Sequence, residues 1–322
     1  MFKAFFIILS IGFYSSSVAE DSDWLFKLSG KAEYQSRYFF SEGQITEQRR
    51  HNQSFTLKPE FYLEYQERHT LTFTPLLRHD FHDQDRQLAD IHELYYQYNA
   101  DNWDLRIGYA QEFWGVLESI HLIDTINQVD LSQNIDEEDH LGQPMIRFTY
   151  SSEDNGDFSL YLLPHFRERT HPGVKGRIRS SIPISQDQSR YESDEQGYHL
   201  DLAMRWKHSI EDFDFGLFSF YGTSRDPQYS MSLNSPELIP TYNLVWENGF
   251  DLQWTHENLL LKSEAVFKQN RFDSWLSFGF GAEYSFFDIN SSGIDLSVLL
   301  EYLGDTRKDQ DFTQAELQQL VT

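Results

Sequence analysis

His79, His82 and His92 lie close to Asp80, Asp83 and Asp85, and imidazole with carboxylate is a donor set that divalent transition metals accept. The residues around them alternate apolar with polar, as an extended strand does, and in a strand positions an odd number apart face opposite ways. His79 and His82 are therefore a poor pair for one ion, and we expect no metal and no cofactor. His208 is followed by Ser209, but the two fall in a turn and show no nucleophile–base arrangement. No serine or aspartate site with a histidine base stands out elsewhere. The chain does not read as an enzyme.

A stronger signal concerns chemistry without bond making. The stretch 111–143 is the longest between regular segments, and it mixes Phe113, Val116, Leu117, Ile120, Leu122 and Ile123 with carboxylates. Such a segment is not stable spread out in water, so we expect it to fold back into the space that its flanking strands enclose. Its Glu112, Trp114, Glu118, Asp124, Asn127 and Asp130 would there meet Arg78, Asp80, Arg106, Arg147, Arg167 and Arg205 from the strands and their ends. Charged groups at a narrowing discriminate between ions and solutes. A plainer reading stays open, in which the stretch packs down only to stiffen the wall.

The elements that must position these residues announce themselves by a period of two. From Phe26 the even positions run Phe26, Leu28, Gly30, Ala32, Tyr34, and the odd ones Lys27, Ser29, Lys31, Glu33, Gln35. Further on, Leu200, Leu202, Met204 and Trp206 alternate with Asp201, Arg205 and Lys207. We read about thirteen strands: 24–41, 53–66, 69–82, 88–99, 103–110, 144–151, 157–167, 197–208, 212–223, 240–256, 259–269, 274–287 and 293–304. Many match the roughly 9–11 residues that cross a bilayer at a tilt. Connections after even-numbered strands are short, and those after odd-numbered strands are mostly longer, with 270–273 the exception. Aromatics gather at both strand ends, Trp103, Trp206 and Trp254 by the short turns and Phe40, Phe81 and Tyr198 by the long loops. Short turns on one side, long loops on the other and two aromatic girdles are the pattern of an all-β, transmembrane, antiparallel up-and-down β-barrel.

Residues 1–19 read as a leader. Lys3 precedes an apolar run from Ala4 to Tyr14, and Ser17-Val18-Ala19 offers a small-residue cleavage site. The barrel domain would then be 20–322. A mean hydropathy of −0.57 is no objection, because a barrel strand shows lipid only every second residue. The formal net charge of −25 argues against nucleic acid as a partner.

Several segments stand in a familiar order. Leu105-Arg106-Ile107-Gly108 leads to Trp114-Gly115, then Asp124, Asn127, Asp130 and Leu131; Leu163-Pro164-His165-Phe166-Arg167-Glu168-Arg169 follows. Asp251-Leu252-Gln253-Trp254-Thr255 and Leu299-Leu300-Glu301-Tyr302-Leu303-Gly304-Asp305 come last. Over most of 90–305 this resembles an uncharacterised family of porin-like outer-membrane β-barrels of proteobacteria. The resemblance implies a diffusion or transport role for small solutes in the cell outer membrane, with outer-membrane lipid and lipopolysaccharide as surroundings. The loop 111–143, third on the outer side, would be the constriction. The alternatives are a plugged structural or adhesion barrel and, further off, a barrel enzyme. The run Asp136-Glu137-Glu138-Asp139 is either a solvated loop or a place where divalent cations bridge to lipopolysaccharide phosphates. Since single-chain barrels close on an even number of strands, we expect the thirteen to continue beyond 322, with about three more implied by the resemblance, or else one strand to be hidden in 176–190.

Overall fold

The computed structural model describes residues 4–18, 23–134, 136–232 and 235–307. The expected cut after Ala19 lies outside the described residues, as do residues 308–322. Its strands are β1 (Ala4–Val18), β2 (Trp24–Phe39), β3 (His51–Tyr65), β4 (His69–Asp80), β5 (Leu88–Asn99), β6 (Trp103–Ala110), β7 (Gln143–Ser152) and β8 (Gly156–Leu163). The remainder are β9 (Arg190–Tyr191), β10 (Asp201–Ile210), β11 (Phe213–Thr223), β12 (Gln228–Met231), β13 (Leu238–Tyr242), β14 (Leu244–His256), β15 (Leu259–Gln269), β16 (Ser274–Phe286) and β17 (Leu296–Asp305). One sheet holds fourteen of them in chain order, each antiparallel to the next, and β12, β13 and β9 form a separate sheet of three. This is the up-and-down architecture of a transmembrane β-barrel.

Alternation decides which way each side chain points. On β10, Asp201, Ala203 and Arg205 are buried while Leu202 and Met204 are 43% and 56% exposed. On β4, Thr70, Thr72, Thr74, Arg78 and Asp80 are buried while Leu71 and Leu77 are exposed. The apolar residues therefore face outward and the charged ones inward, the reverse of a water-soluble domain. Cross-strand aromatic pairs ring the short-turn end: Trp24–Tyr65 with centroids 4.5 Å apart, Tyr98–Trp103 at 5.3 Å, Phe158–Trp206 at 6.0 Å and Phe213–Trp254 at 5.9 Å. Such rings suit the interface between hydrocarbon and water.

The sheet is rolled. The segment 111–142 touches inward-facing groups of β2, β4, β8, β11, β15 and β17. A flat sheet would set β2 and β17 on the order of 60 Å apart, farther than one folded loop reaches at both ends.

Where strand limits differ from expectation, a local cause is visible. Pro164 has no N–H for a ladder, and β8 ends before it. The expected strand 197–208 starts late, because Gln196–Tyr198 form a 3-10 turn tied to the neighbouring loop by the Phe166 N–H to the Gly197 carbonyl. The expected strand 240–256 is two strands, since Leu238–Tyr242 leave the main sheet to pair with β12 and β9. No strand of the main sheet lies in 176–190. Residues 4–18, expected to stand apart as a leader, are laid along β2 from Ala4 opposite Phe39 to Val18 opposite Leu25. The reason is an apolar, β-prone segment beside a strand edge whose backbone groups otherwise lack partners. Burial does not alternate along β1, where Phe5, Phe6, Ile7, Ile8 and Leu9 are all exposed, and β17 at the other edge of the sheet is exposed along most of its length as well.

Candidate functional site

The segment 111–142 leaves the top of β6, crosses the interior and returns to β7. Its neck is closed by Asn127, whose side-chain amide donates to the carbonyls of Ala110 (2.9 Å) and Leu141 (2.8 Å) and accepts from the Glu112 N–H (2.9 Å). Asparagine can do this because it carries donor and acceptor together. Trp114, Ile123 and Ile126 are buried against Tyr161, Phe218, Phe220, Val245 and Val266 of the inner wall. These wall positions are the apolar exceptions on otherwise polar inward faces, and they explain why the loop lies inside.

Basic groups hold one shoulder of the loop. Arg78 pairs with Asp130 at 3.0 Å and donates to the Gln133 side chain at 2.6 Å. Arg86 pairs with Asp80 at 2.6 Å and donates to the Ser132 carbonyl at 2.6 Å, while Arg37 donates to the Gln133 carbonyl at 2.9 Å. Lower in the interior, Glu112 accepts from Arg106 (2.9 Å), Arg147 (2.7 Å) and the Tyr161 hydroxyl (3.3 Å), and Arg147 also pairs with Asp104 at 2.8 Å. Arg205 lies 4.9 Å over the Trp114 ring and pairs with Asp251 at 2.7 Å. Arg167 grips Asp90 through two bonds of 2.9 and 3.1 Å and donates to the Gly142 carbonyl at 2.8 Å.

The outer loops clamp the same segment from above. Arg225 donates to the Ile126 carbonyl at 3.0 and 3.2 Å, pairs with Asp201 at 2.7 Å, and lies over the rings of Phe166 and Phe220. Arg169 pairs with Asp226 at 2.8 Å and donates to the Gln128 side chain at 3.3 Å.

All twelve residues singled out in the sequence thus meet at or beside this loop, but they divide in two. Arg78, Asp80, Trp114, Asp130 and Arg205 are buried and engaged with protein partners, as Arg106, Glu112, Arg147 and Arg167 largely are through the pairs above. Glu118, Asp124 and Asn127 instead border a cavity of about 950 Å³ between the loop and the β15–β17 side of the wall. Asp136, Glu137 and Glu138 border it too, so these charges face the interior rather than a lipid headgroup. The basic residues around it are already engaged: Arg169 and Arg225 as above, Lys268 with Glu247 at 3.2 Å, and Arg307 with Asp305 at 2.8 Å. The balance at the cavity is acidic. Within it, burial and the neighbouring Glu264 push the Asp124 carboxyl up to about 8, 3.5 Å from His140, whose imidazole burial holds below its ordinary value. Around neutral pH the pair is an uncharged acid beside an uncharged imidazole.

Arg37, Arg86, Arg225, Glu264 and Glu301 were not among the expected constriction residues. Alternation does turn Arg37, Glu264 and Glu301 inward on their strands, but it does not say that they meet this loop; the loop residues Arg86 and Arg225 carry no such signal. Among the described residues no group of three or more histidines, aspartates or glutamates is placed to hold a metal ion. Among the described residues no helix is long and apolar enough to cross a membrane, which says nothing of strands.

No family model matches the chain, and no curated protein does. Among solved structures, OprB of Pseudomonas putida is similar at 10% identity and a TM-score of 0.43, over 96% of this chain and 78% of that one. The copper transporter OprC is similar at 11% and 0.42, with 88% of this chain on 50% of that one. A loop-deleted OmpT, an outer membrane protein of Vibrio cholerae, matches at 8% and 0.36, over 95% of each chain. Likenesses this distant carry no argument about solute or activity, which must come from the geometry.

Proposed function

We propose that this protein is a porin-like channel of the outer membrane that passes small solutes, with the inward loop 111–142 as its constriction. The observation that carries the reading is the pairing of an outward apolar band with a charged interior crossed by a single pinned loop, beside which about 950 Å³ of polar space is left. The cavity lies between that loop and the β15–β17 side of the wall, where a solute passing the loop would run. Residues 1–19 act as a cleaved leader, which the apolar run after Lys3 and the small residues Ser17-Val18-Ala19 support. Outer-membrane lipid and lipopolysaccharide surround the band.

One observation favours a second reading, a plugged structural or adhesion barrel. Trp114, Ile123 and Ile126 make an apolar plug against the wall, and Arg225 seals it from above. Single-channel conductance of the refolded full-length chain separates the two. A channel gives discrete steps that rise when 116–135 is deleted. A plugged barrel gives no steps in the intact protein, and steps of unchanged size in the deletion would place the loop off the path.

A further inference from the structure

Between two carboxylates on the wall lies a notch that the loop fills. Glu264 on β15 accepts from the backbone N–H groups of Val116 (2.5 Å), Leu117 (2.9 Å) and Leu122 (2.9 Å). Glu301 on β17 accepts from those of Glu118 and Ser119, both at 2.8 Å. The strand between them, β16, places Gly279 opposite Glu264 and Gly281 opposite Glu301. These two glycines make the floor of the notch, and Leu117, 2% exposed, lies in it. A Cβ on Gly279 would stand 2.3 Å from the Leu117 Cδ1, and one on Gly281 3.3 Å from its Cδ2. The lysine beside Glu264, Lys262, pairs with Glu118 of the loop instead. Both wall carboxylates are thus satisfied by the loop backbone, and both lose those partners if the loop leaves.

We propose that 116–119 is a detachable bolt, with Leu117 in the Gly279–Gly281 notch and Glu264 and Glu301 as its keepers, and that withdrawing it widens the path past β15–β17. The shoulder at 130–133 is not released with it, because Arg37, Arg78 and Arg86 hold that part to β2 and β4 by bonds the bolt does not share. The flanks stay in place as well, because Trp114, Ile123 and Ile126 are packed against the wall and Asn127 closes the neck, so only the turn between Trp114 and Ile123 leaves the notch. The inference rests on the channel reading above.

The chain has no cysteine, so Leu117→Cys is a single reporter for an impermeant thiol reagent applied to the full-length protein in lipid vesicles. Ile120→Cys, at an exposed position, is the accessible control. Expected results are slow labelling at position 117, and labelling faster by about tenfold or more once Glu264→Gln and Glu301→Gln remove charge-assisted acceptors. The same double variant raises the frequency of wide openings by a similar factor, and has no effect in a chain lacking 116–135. Leu117→Ala, which keeps both carboxylates, raises openings too and serves where the double variant does not fold. Unchanged labelling and openings in these variants, with conductance still raised by the deletion, would overturn the bolt and leave the channel. Absence of conductance in intact and deleted proteins alike would overturn the channel, while faster labelling at 117 would still show the bolt.

Discussion

Arg205 offers a test whose expected size follows from the structure and not from the alternation pattern. By pattern it is one more interior charge in a watered barrel, and Arg205→Ser would be close to neutral. In the structure its side chain is 3% exposed, its guanidinium pairs with Asp251 at 2.7 Å and covers Trp114 at 4.9 Å. Asp251 lies opposite Glu264 in the ladder, so removing the arginine leaves two neighbouring carboxylates with one fewer cation in a buried setting. Breaking a buried pair by removing one partner costs about 3–5 kcal/mol, and the lost cation–π contact adds roughly 1–2 kcal/mol. Two guanidinium nitrogens already lack partners, which limits the sum, so about 4 kcal/mol is the expected loss. The assay is reversible urea unfolding in lipid vesicles, followed by tryptophan fluorescence. Asp251→Leu combined with Arg205→Met should recover most of the loss, because an apolar pair of similar volume carries no desolvation penalty. A change within about 0.5 kcal/mol for Arg205→Ser would refute the burial argument and restore the watered interior.

Three further outcomes are expected. Leu202→Arg or Phe278→Arg, on the lipid face, should cost about 2–4 kcal/mol near the bilayer midplane in the same assay; a neutral result would invert the inside–outside assignment. Labels applied to intact cells should reach the loops 168–196 partially and Glu257 not at all, since Glu257 lies in the short turn between β14 and β15; labelling there without permeabilisation would overturn the orientation. Asp124, held near 8, is protonated in the folded chain and ionised in the unfolded one at neutral pH, so stability falls as pH rises, by up to about 1.4 kcal/mol per unit, and levels off above the folded value. The lowered His140 acts in the opposite sense, but only below its ordinary value of about 6.5, so unfolding measured between about pH 6.5 and 8 isolates Asp124. Asp124→Asn should flatten that window, and an unchanged slope would place the carboxyl in water.

How much of the molecule is legible in its sequence depends on the range of each force. The main-sheet strands from Trp24 onward were legible because pleating imposes a period of two on every residue, and a bilayer outside with water inside turns that period into hydropathy; the small sheet of β9, β12 and β13 lies in the loops, where that contrast does not act. Leu202 and Arg205 therefore sort themselves without any knowledge of their neighbours. The inward course of 111–142 was legible for a related reason: Trp114, Ile123 and Ile126 must be buried somewhere. What they are buried against was not, because Phe218, Phe220 and Val266 read in sequence as breaks in a polar face and acquire meaning only when the sheet is rolled. Ion pairs were the least legible. Arg78 finds Asp130 fifty-two residues away, and Val116 finds Glu264 at a separation of 148; no local pattern encodes a partner at that distance. The same reasoning explains the two edges of the sheet. β1 has the composition of a strand and a full ladder to β2, yet residues 5–14 are exposed on both faces; β17, at the other edge, is exposed along nearly all of its length too, so the burial that orients the strands between them acts least on these two.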